Sequence, residues 1–384
     1  MEDLRKAVKA TNIGKTPGLD GIPAEVIKHG DVKGNGEKLG NWREGLFTLR
    51  RIDRPKTTGN GDRATYDESI LNLITDSSKF NNLNCDPTLS REGKLQRLLR
   101  KLKKNGEIDD TTYKDIYPTG SQAARIYGLP KMHKVREPSS APPFCPIVSS
   151  IGTYNYNLAK FLCTLLDSHI PSDFCAHDTF SFVNEITNLR TSNKFMVSFD
   201  VESLFTNIPL LESIELAVDY ILSGNPNIKL SKDSLKELFL VATAQTHFLL
   251  RGKYYDQIDG VAMGSPLAPV LANLFMGHHE RIWLQRYDGP AIYFYRKYVD
   301  DTFCLFNNET DALKFFHYIN DKHPNITFTM ETEVNHKLPF LDVLLDNSNP
   351  PSLVTSVFRK STYTGLLTFS LQIRVNTNAG GQDI

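Results

Sequence analysis

No run of eighteen apolar residues occurs in the chain, so nothing in it reads as a membrane-spanning helix. No charged-then-apolar leader opens it. Cysteine is scarce, with five residues at positions 85, 145, 163, 175 and 304. The number is odd and the spacing is not that of a metal site. This argues against a disulfide framework or a zinc site and for a reducing compartment. Net charge is also missing, since 44 Lys and Arg balance 44 Asp and Glu. Whole-chain charge therefore says nothing about nucleic acid. There is no internal repeat and no clear basic import run. The expectation is an intracellular protein with no membrane partner.

What is present is ordinary in bulk and uneven in detail. A chain of 384 residues with 40% hydrophobic and 23% charged content can bury a core and hold two or three subdomains. Between Arg91 and Glu137, twelve Lys and Arg face six Asp and Glu. Arg97, Arg100, Lys101, Lys103 and Lys104 make a basic face that suits phosphate. Leu95, Leu98, Leu99 and Leu102 give the same segment a helical apolar stripe. Both readings can hold at once.

Residues 1–65 read as one short helix and loops, punctuated by Gly34-Asn35-Gly36 and Gly59-Asn60-Gly61. Helical patterns follow over Tyr66–Leu73, Arg91–Lys104, Asp109–Asp115, Tyr156–Leu166, Thr179–Leu189, Leu210–Leu222, Lys232–Gln245 and Asp311–Asn320. Phe195–Asp200 alternates as a strand, and Phe248–Gln257 forms a hairpin around Arg251-Gly252. Leu338–Leu345 reads as one strand. Helices and strands interleave without regular βαβ spacing, which predicts α+β rather than a doubly wound sheet.

Tyr298-Val299-Asp300-Asp301 carries the strongest chemical signal. Strand-favouring residues flank it, so two like charges sit at a hairpin tip. That crowding is unfavourable unless a cation neutralises it, and Mg²⁺ is the hard ion for oxygen ligands. Alone, the pair is equally well a solvated turn. The partner lies a hundred residues upstream, where the strand Phe195–Asp200 ends on a carboxylate. Two carboxylates converging across an antiparallel sheet can hold the two ions of in-line phosphoryl displacement. Between them, Gly264-Ser265-Pro266 is a helix start, with Ser265 as N-cap and Pro266 in the first turn.

In that order, Phe199-Asp200-Val201, Gly264-Ser265-Pro266 and Tyr298-Val299-Asp300-Asp301 resemble the three core palm motifs of reverse transcriptases. The closer resemblance is to the Penelope-like retroelement branch, which is related to telomerase. It rests on Arg125-Ile126-Tyr127-Gly128-Leu129-Pro130-Lys131-Met132-His133-Lys134, on Ser203-Leu204-Phe205-Thr206-Asn207-Ile208-Pro209 and on Leu338-Pro339-Phe340-Leu341-Asp342-Val343. It covers roughly residues 65–368.

The resemblance implies a right-hand polymerase fold: fingers over 66–190, palm over 191–345, and the start of a largely missing thumb over 346–384. It implies an RNA-directed DNA polymerase that takes an RNA template, a DNA primer and deoxynucleoside triphosphates, with two Mg²⁺ ions. Asp200, Asp300 and the Val201 carbonyl would be the metal ligands, with Asp301 an auxiliary carboxylate. Phe205 would lie under the incoming sugar and exclude a 2′-hydroxyl. Gly264 and Ser265 would line the pocket of the templating pair. Lys131, Lys134 and Lys337 would be cations near the triphosphate or template. Phe340-Leu341-Asp342 would be the primer-grip strand. Nuclear residence follows from what such an element must reach.

Three departures stand against that pattern. Cys145 occupies the position before Pro146-Ile147-Val148 where the family has Arg. Losing that charged hydrogen bond costs about 1.5–3 kcal/mol, roughly one to two decades of nucleotide affinity. The segment after Leu367 no longer resembles the family. Lys15-Thr16-Pro17-Gly18-Leu19-Asp20-Gly21-Ile22-Pro23-Ala24-Glu25 resembles the fingers of non-LTR, LINE-type enzymes instead. The alternative reading is a retroelement remnant that binds nucleic acid without catalysis. A two-metal nuclease fits less well, because it needs no sugar gate.

Overall fold

The computed structural model describes residues 68–130, 144–191, 193–244 and 246–359. Lys131, Lys134, the LINE-like segment, the remainder of residues 1–65 and the tail from 360 lie outside them. The described residues build three sheets and a helical layer. The central sheet has the order β7-β8-β4-β9, all antiparallel. Its members are β4 (Phe195–Val201), β7 (Phe294–Tyr298), β8 (Asp301–Phe306) and β9 (Phe328–Thr332).

Period-2 alternation divides this sheet between two cores. Val197, Phe199 and Val201 from β4, with Cys304 and Phe306 from β8, enter a large helical core. Met196, Phe303 and Leu305 point the other way, into a smaller one. The large core is filled from α3 (Tyr156–Asp167), α6 (Leu210–Gly224), α7 (Lys232–Thr243), α8 (Leu267–Gln285) and α9 (Glu309–Asn320). The smaller core is closed by α4 (Thr179–Thr187) and a sheet of β10 (Lys337–Phe340), β11 (Val343–Asp346) and β12 (Val354–Val357).

A five-stranded sheet, order β1-β6-β5-β2-β3, stands beside the central one. It comprises β1 (Phe80–Leu83), β2 (Ala124–Pro130), β3 (Phe144–Ser149), β5 (Thr246–Leu250) and β6 (Lys253–Gln257). Strands β5 and β6 come from the range expected to be palm, yet they pair with β1 and β2 from the fingers range. The β5–β6 turn is Arg251-Gly252, both at positive φ, the signature of a type I′ hairpin. The mixed α+β architecture is consistent with a right-hand polymerase fold.

The basic segment is α1 (Thr88–Lys104), followed by α2 (Asp110–Ile116). Leu95, Leu98, Leu99 and Leu102 are all buried, so the apolar stripe is core and the cations form the opposite face. One expected element is wrong. Leu338–Leu345 is not a continuous strand but the β10–β11 hairpin, with Phe340 paired to Val343. The turn is Leu341-Asp342, and Leu341 takes φ 55°. Asp342 is a turn former, and the buried positions step from Phe340 to Val343, three residues rather than two; a segment apolar everywhere except Asp342 hides that break in phase. Phe340-Leu341-Asp342 is therefore a strand end and a turn, not a strand.

Candidate active site

Each carboxylate expected in the site lies at one end of the central sheet. Asp200 is the penultimate residue of β4 and pairs with Asp301, the first residue of β8. Directly opposed residues share a face, with Cα atoms about 4.5–5.5 Å apart. Tyr298 pairs with Asp301, so Val299 and Asp300 are the two turn residues of a tight hairpin. Val299 takes φ 58°, a position that normally needs glycine in this turn. A β-branched residue in the left-handed region is strained by about 1–3 kcal/mol, and such strain gathers at functional sites. All three carboxylates are half-buried.

The face matters as much as the position. Asp200 has the parity of Met196, and Asp301 that of Phe303 and Leu305. The carboxylates thus lie on the face opposite the helices. There, α4 and the β10–β12 sheet cover the far end and leave the acidic end accessible.

Next to Asp200, Val201 pairs with Phe328, and the Glu202 N–H donates to Thr327 O at 2.9 Å. Ser203 then takes φ 49° and turns the chain into α5 (Leu204–Asn207). Phe205 is half-buried against the large core, and its carbonyl accepts from Val261 N–H at 2.7 Å. Gly260 comes so close that a Cβ there would lie 2.8 Å from Thr206 O. Lys79 reaches the same turn from beside β1, donating to Thr206 O at 2.7 Å and to the Asn207 side chain. Sequence reasoning missed Lys79.

Gly264 takes φ 113°, and a Cβ added there would lie 2.3 Å from Val148 O. Only glycine fits. Val148 N–H donates to Met263 O at 2.7 Å and Ser150 Oγ to Gly264 O at 2.8 Å, which ties β3 to the helix start. The Ser265 hydroxyl accepts from Leu267 N–H at 3.4 Å, a cap one residue earlier than the formal helix boundary. Pro269 is tolerated because the first helical N–H groups have no intrahelical acceptor. Cys145 is buried, with its thiol 3.3 Å from Met263 Sδ. An arginine side chain here would have to displace Met263.

Lys337 is engaged within its own hairpin. Its ammonium pairs with Asp346 at 3.0 Å across the β10–β11 hairpin. Two hydrogen bonds from Ser348, with Lys337 behind them, hold Asp346 down to about 2.

A second feature was missed behind the hairpin. Lys297, one residue before Tyr298, is buried and its ammonium lies 2.6 Å from Glu280 on α8. The Tyr295 hydroxyl donates to the other Glu280 oxygen at 2.9 Å. Burial, with the Glu280 charge second, pushes the Tyr295 phenol well above its ordinary value. Tyr295 and Lys297 share the inward parity of β7, and Glu280 is a lone acid on the buried side of an apolar helix. Those two signals together could have revealed the pair.

The site is thus an antiparallel sheet end carrying an Asp–Asp cross-strand pair beside a tight carboxylate turn, with a glycine helix start tied to a second sheet. Residues 148–333 match the family model described as reverse transcriptase (RNA-dependent DNA polymerase). Comparison with curated proteins finds no match. Among solved structures, apo telomerase from Candida tropicalis, truncated from its C-terminal domain, aligns at 10% identity and TM-score 0.48. It covers 77% of this chain and 60% of that one. Telomerase from Candida albicans, in complex with a fragment of telomeric RNA, aligns at 10% identity and TM-score 0.45, over 70% and 50%. The RNA-dependent RNA polymerase of bacteriophage phi12 aligns at 13% and 0.41, over 92% and 67%. The chain thus spans about half to two thirds of each of these.

Proposed function

We propose that the chain carries the RNA-directed DNA polymerase domain of a Penelope-like retroelement, acting by two-Mg²⁺ nucleotidyl transfer on an RNA template, a DNA primer and deoxynucleoside triphosphates. The carrying observation is the Asp200–Asp301 cross-strand pair with Asp300 at the adjoining turn, inside the segment that matches the reverse-transcriptase model. Like charges directly opposite one another are destabilising. Three half-buried carboxylates at one sheet end therefore fit a hard divalent ion.

Asp200, Asp300 and the Val201 carbonyl would hold the ions. When bound, Mg²⁺ lowers the pKa of the primer 3′-hydroxyl and neutralises charge on the leaving pyrophosphate. The chain's own part is positioning. Strand β4 and the strained 299–300 turn fix the carboxylates before any ligand arrives. Lys79 and the Val261 bond hold the α5 turn, and with it Phe205, at the end of β4. An aromatic ring beneath the sugar collides with a 2′-hydroxyl, which selects deoxynucleotides. Bare backbone at Gly264 lets a flat base pair approach. Such an element works on nuclear nucleic acid.

The test is extension of a DNA primer on an RNA template in Mg²⁺. Deoxynucleotides are used in preference to ribonucleotides, and Phe205→Ala narrows that preference at least tenfold. Unchanged discrimination in the variant removes Phe205 from the role. Cys145 favours a second reading, of nucleic-acid binding without turnover. It offers no charge to a triphosphate and is closed off against Met263. That reading gives binding that weakens steeply with salt and no extension.

A further inference from the structure

Outside the Asp200–Asp300–Asp301 group, three side chains from separate elements converge. Glu212 is in the first turn of α6, His279 is on α8, and His323 follows α9. His279 Nε2 lies 2.9 Å from Glu212 Oε1, and His323 Nε2 lies 3.3 Å from Glu212 Oε2. The three ligand atoms all fall within 4.8 Å of one another. We propose that Glu212, His279 and His323 form a site for a divalent transition metal, with Zn²⁺ as the best fit, that joins α6, α8 and the α9–β9 connection.

The donor set is two imidazoles and one carboxylate, a combination Zn²⁺ takes with water in the fourth position. With metal–ligand lengths of about 2.0–2.2 Å, the edges of a tetrahedron are about 3.3 Å. The observed 2.9 and 3.3 Å separations run to different oxygens of Glu212, so each histidine lies about one such edge from the carboxylate, which would ligate through one oxygen or both. Aromatic packing fixes the rings. Phe275 meets both His279 and His323, at 4.5 and 5.3 Å between centroids, and Trp283 stacks on His279 at 5.4 Å. Each imidazole is therefore held in one orientation before an ion binds. The two histidine side chains are 15% and 11% exposed, while Glu212 is 40% exposed. The carboxylate side thus gives an entry path and room for a water ligand.

One contact opposes binding. Asn325 N–H donates to His323 Nδ1 at 3.2 Å. Ligation through Nε2 places the ring proton on Nδ1, so this long contact is given up. The site's position gives it a consequence. Phe328, five residues past His323, pairs with Val201, and Glu202 N–H bonds Thr327 O. A metal here braces the connection that leads into β9 beside Asp200. None of this depends on the polymerase reading.

The experiment titrates the full chain, freed of metal by chelation, with Zn²⁺ alone and with Co²⁺ alone. Calorimetry should give one equivalent of Zn²⁺ that remains when Asp200 and Asp300 are both changed to Asn. Co²⁺ should give the intense visible bands of a tetrahedral nitrogen–oxygen site, a readout that needs no variant. The thermal midpoint should rise with the logarithm of free Zn²⁺. His279→Gln and His323→Gln, which keep polarity and approximate size, should each weaken Zn²⁺ at least tenfold and abolish the thermal response. Absence of the Co²⁺ bands, or isotherms that the glutamine variants leave unchanged, would overturn the proposal. In that case the cluster is a hydrogen-bonded Glu between two imidazoles.

Discussion

Lys297 and Glu280 lie directly behind the hairpin that presents Asp300, and they are the most consequential buried charges in the described residues. Two ions removed from water are tolerated only as a pair. Lys297→Met leaves Glu280 buried and uncompensated, and should cost about 3–5 kcal/mol. Lys297→Met with Glu280→Leu should recover most of that loss, because the replacement is an apolar pair. Urea midpoints of the two single variants and the double variant check it. A double variant as unstable as the worse single one would show that the charges do more than neutralise each other. These residues also mark a limit of reading a sequence. Asp200 and Asp300 are legible because carboxylates at strand ends are conspicuous. Lys297 looks like a solvated neighbour until the parity of β7 and the bare apolar face of α8 are considered together.

At the scale of elements, the start of α8 and the β10–β11 hairpin behave differently. Gly264→Ala sets a Cβ against the Val148 carbonyl, a backbone atom that cannot step aside, at a φ that L residues avoid. The loss should be about 1–3 kcal/mol. Gly252, in the open β5–β6 turn with nothing within 4 Å of a Cβ, is the control. Gly252→Asn should be nearly neutral, since Asn accepts the left-handed region. Thermal melts of both variants test the contrast. In the β10–β11 hairpin, Asp346 is held below its ordinary value of 3.8, to about 2, by Ser348 and then by Lys337. A depressed carboxylate contributes stability that is complete above its unfolded pKa and is lost as pH falls through its folded one. Lys337→Met should therefore lower the urea midpoint slightly near pH 6, and the difference should shrink below about pH 4. A pH-independent difference would mean that the variant acts through packing. The elements themselves were mostly legible, because caps, alternation and helical stripes are local. The β10–β11 reversal was not, since apolar residues fill every position from Leu338 to Leu345 except Asp342 and leave the break in phase between Phe340 and Val343 unreadable. The Glu212–His279–His323 cluster was invisible for a related reason. Its members lie far apart along the chain, and no spacing rule joins them.

For the molecule as a whole, a cleft of about 560 Å³ lies between α1 and α7, lined by Lys94, Arg97 and Lys101 with Tyr154 and Leu240 at its base. Arg91 at its edge is engaged by Asp256 through two 2.6 Å bonds, so it organises the wall rather than reaching outward. If the chain binds nucleic acid as proposed, Lys94, Arg97 and Lys101 are the cations of this cleft that would meet its phosphates. Arg97→Glu with Lys101→Glu should weaken single-stranded RNA binding and reduce the salt slope by about 0.7 for each lost phosphate contact. Binding measured between low and moderate salt decides it, and an unchanged slope would move the RNA elsewhere. The sheet-end carboxylates remain the centre of the account, because the other features position or support them. The most direct test is extension of a DNA primer on an RNA template in Mg²⁺ by the unaltered chain and by Asp300→Asn. The first should incorporate deoxynucleotides and the second should lose at least a thousandfold of that activity, with RNA binding retained by both. Extension that survives in Asp300→Asn, or none from the unaltered chain while it still binds RNA, would contradict the account.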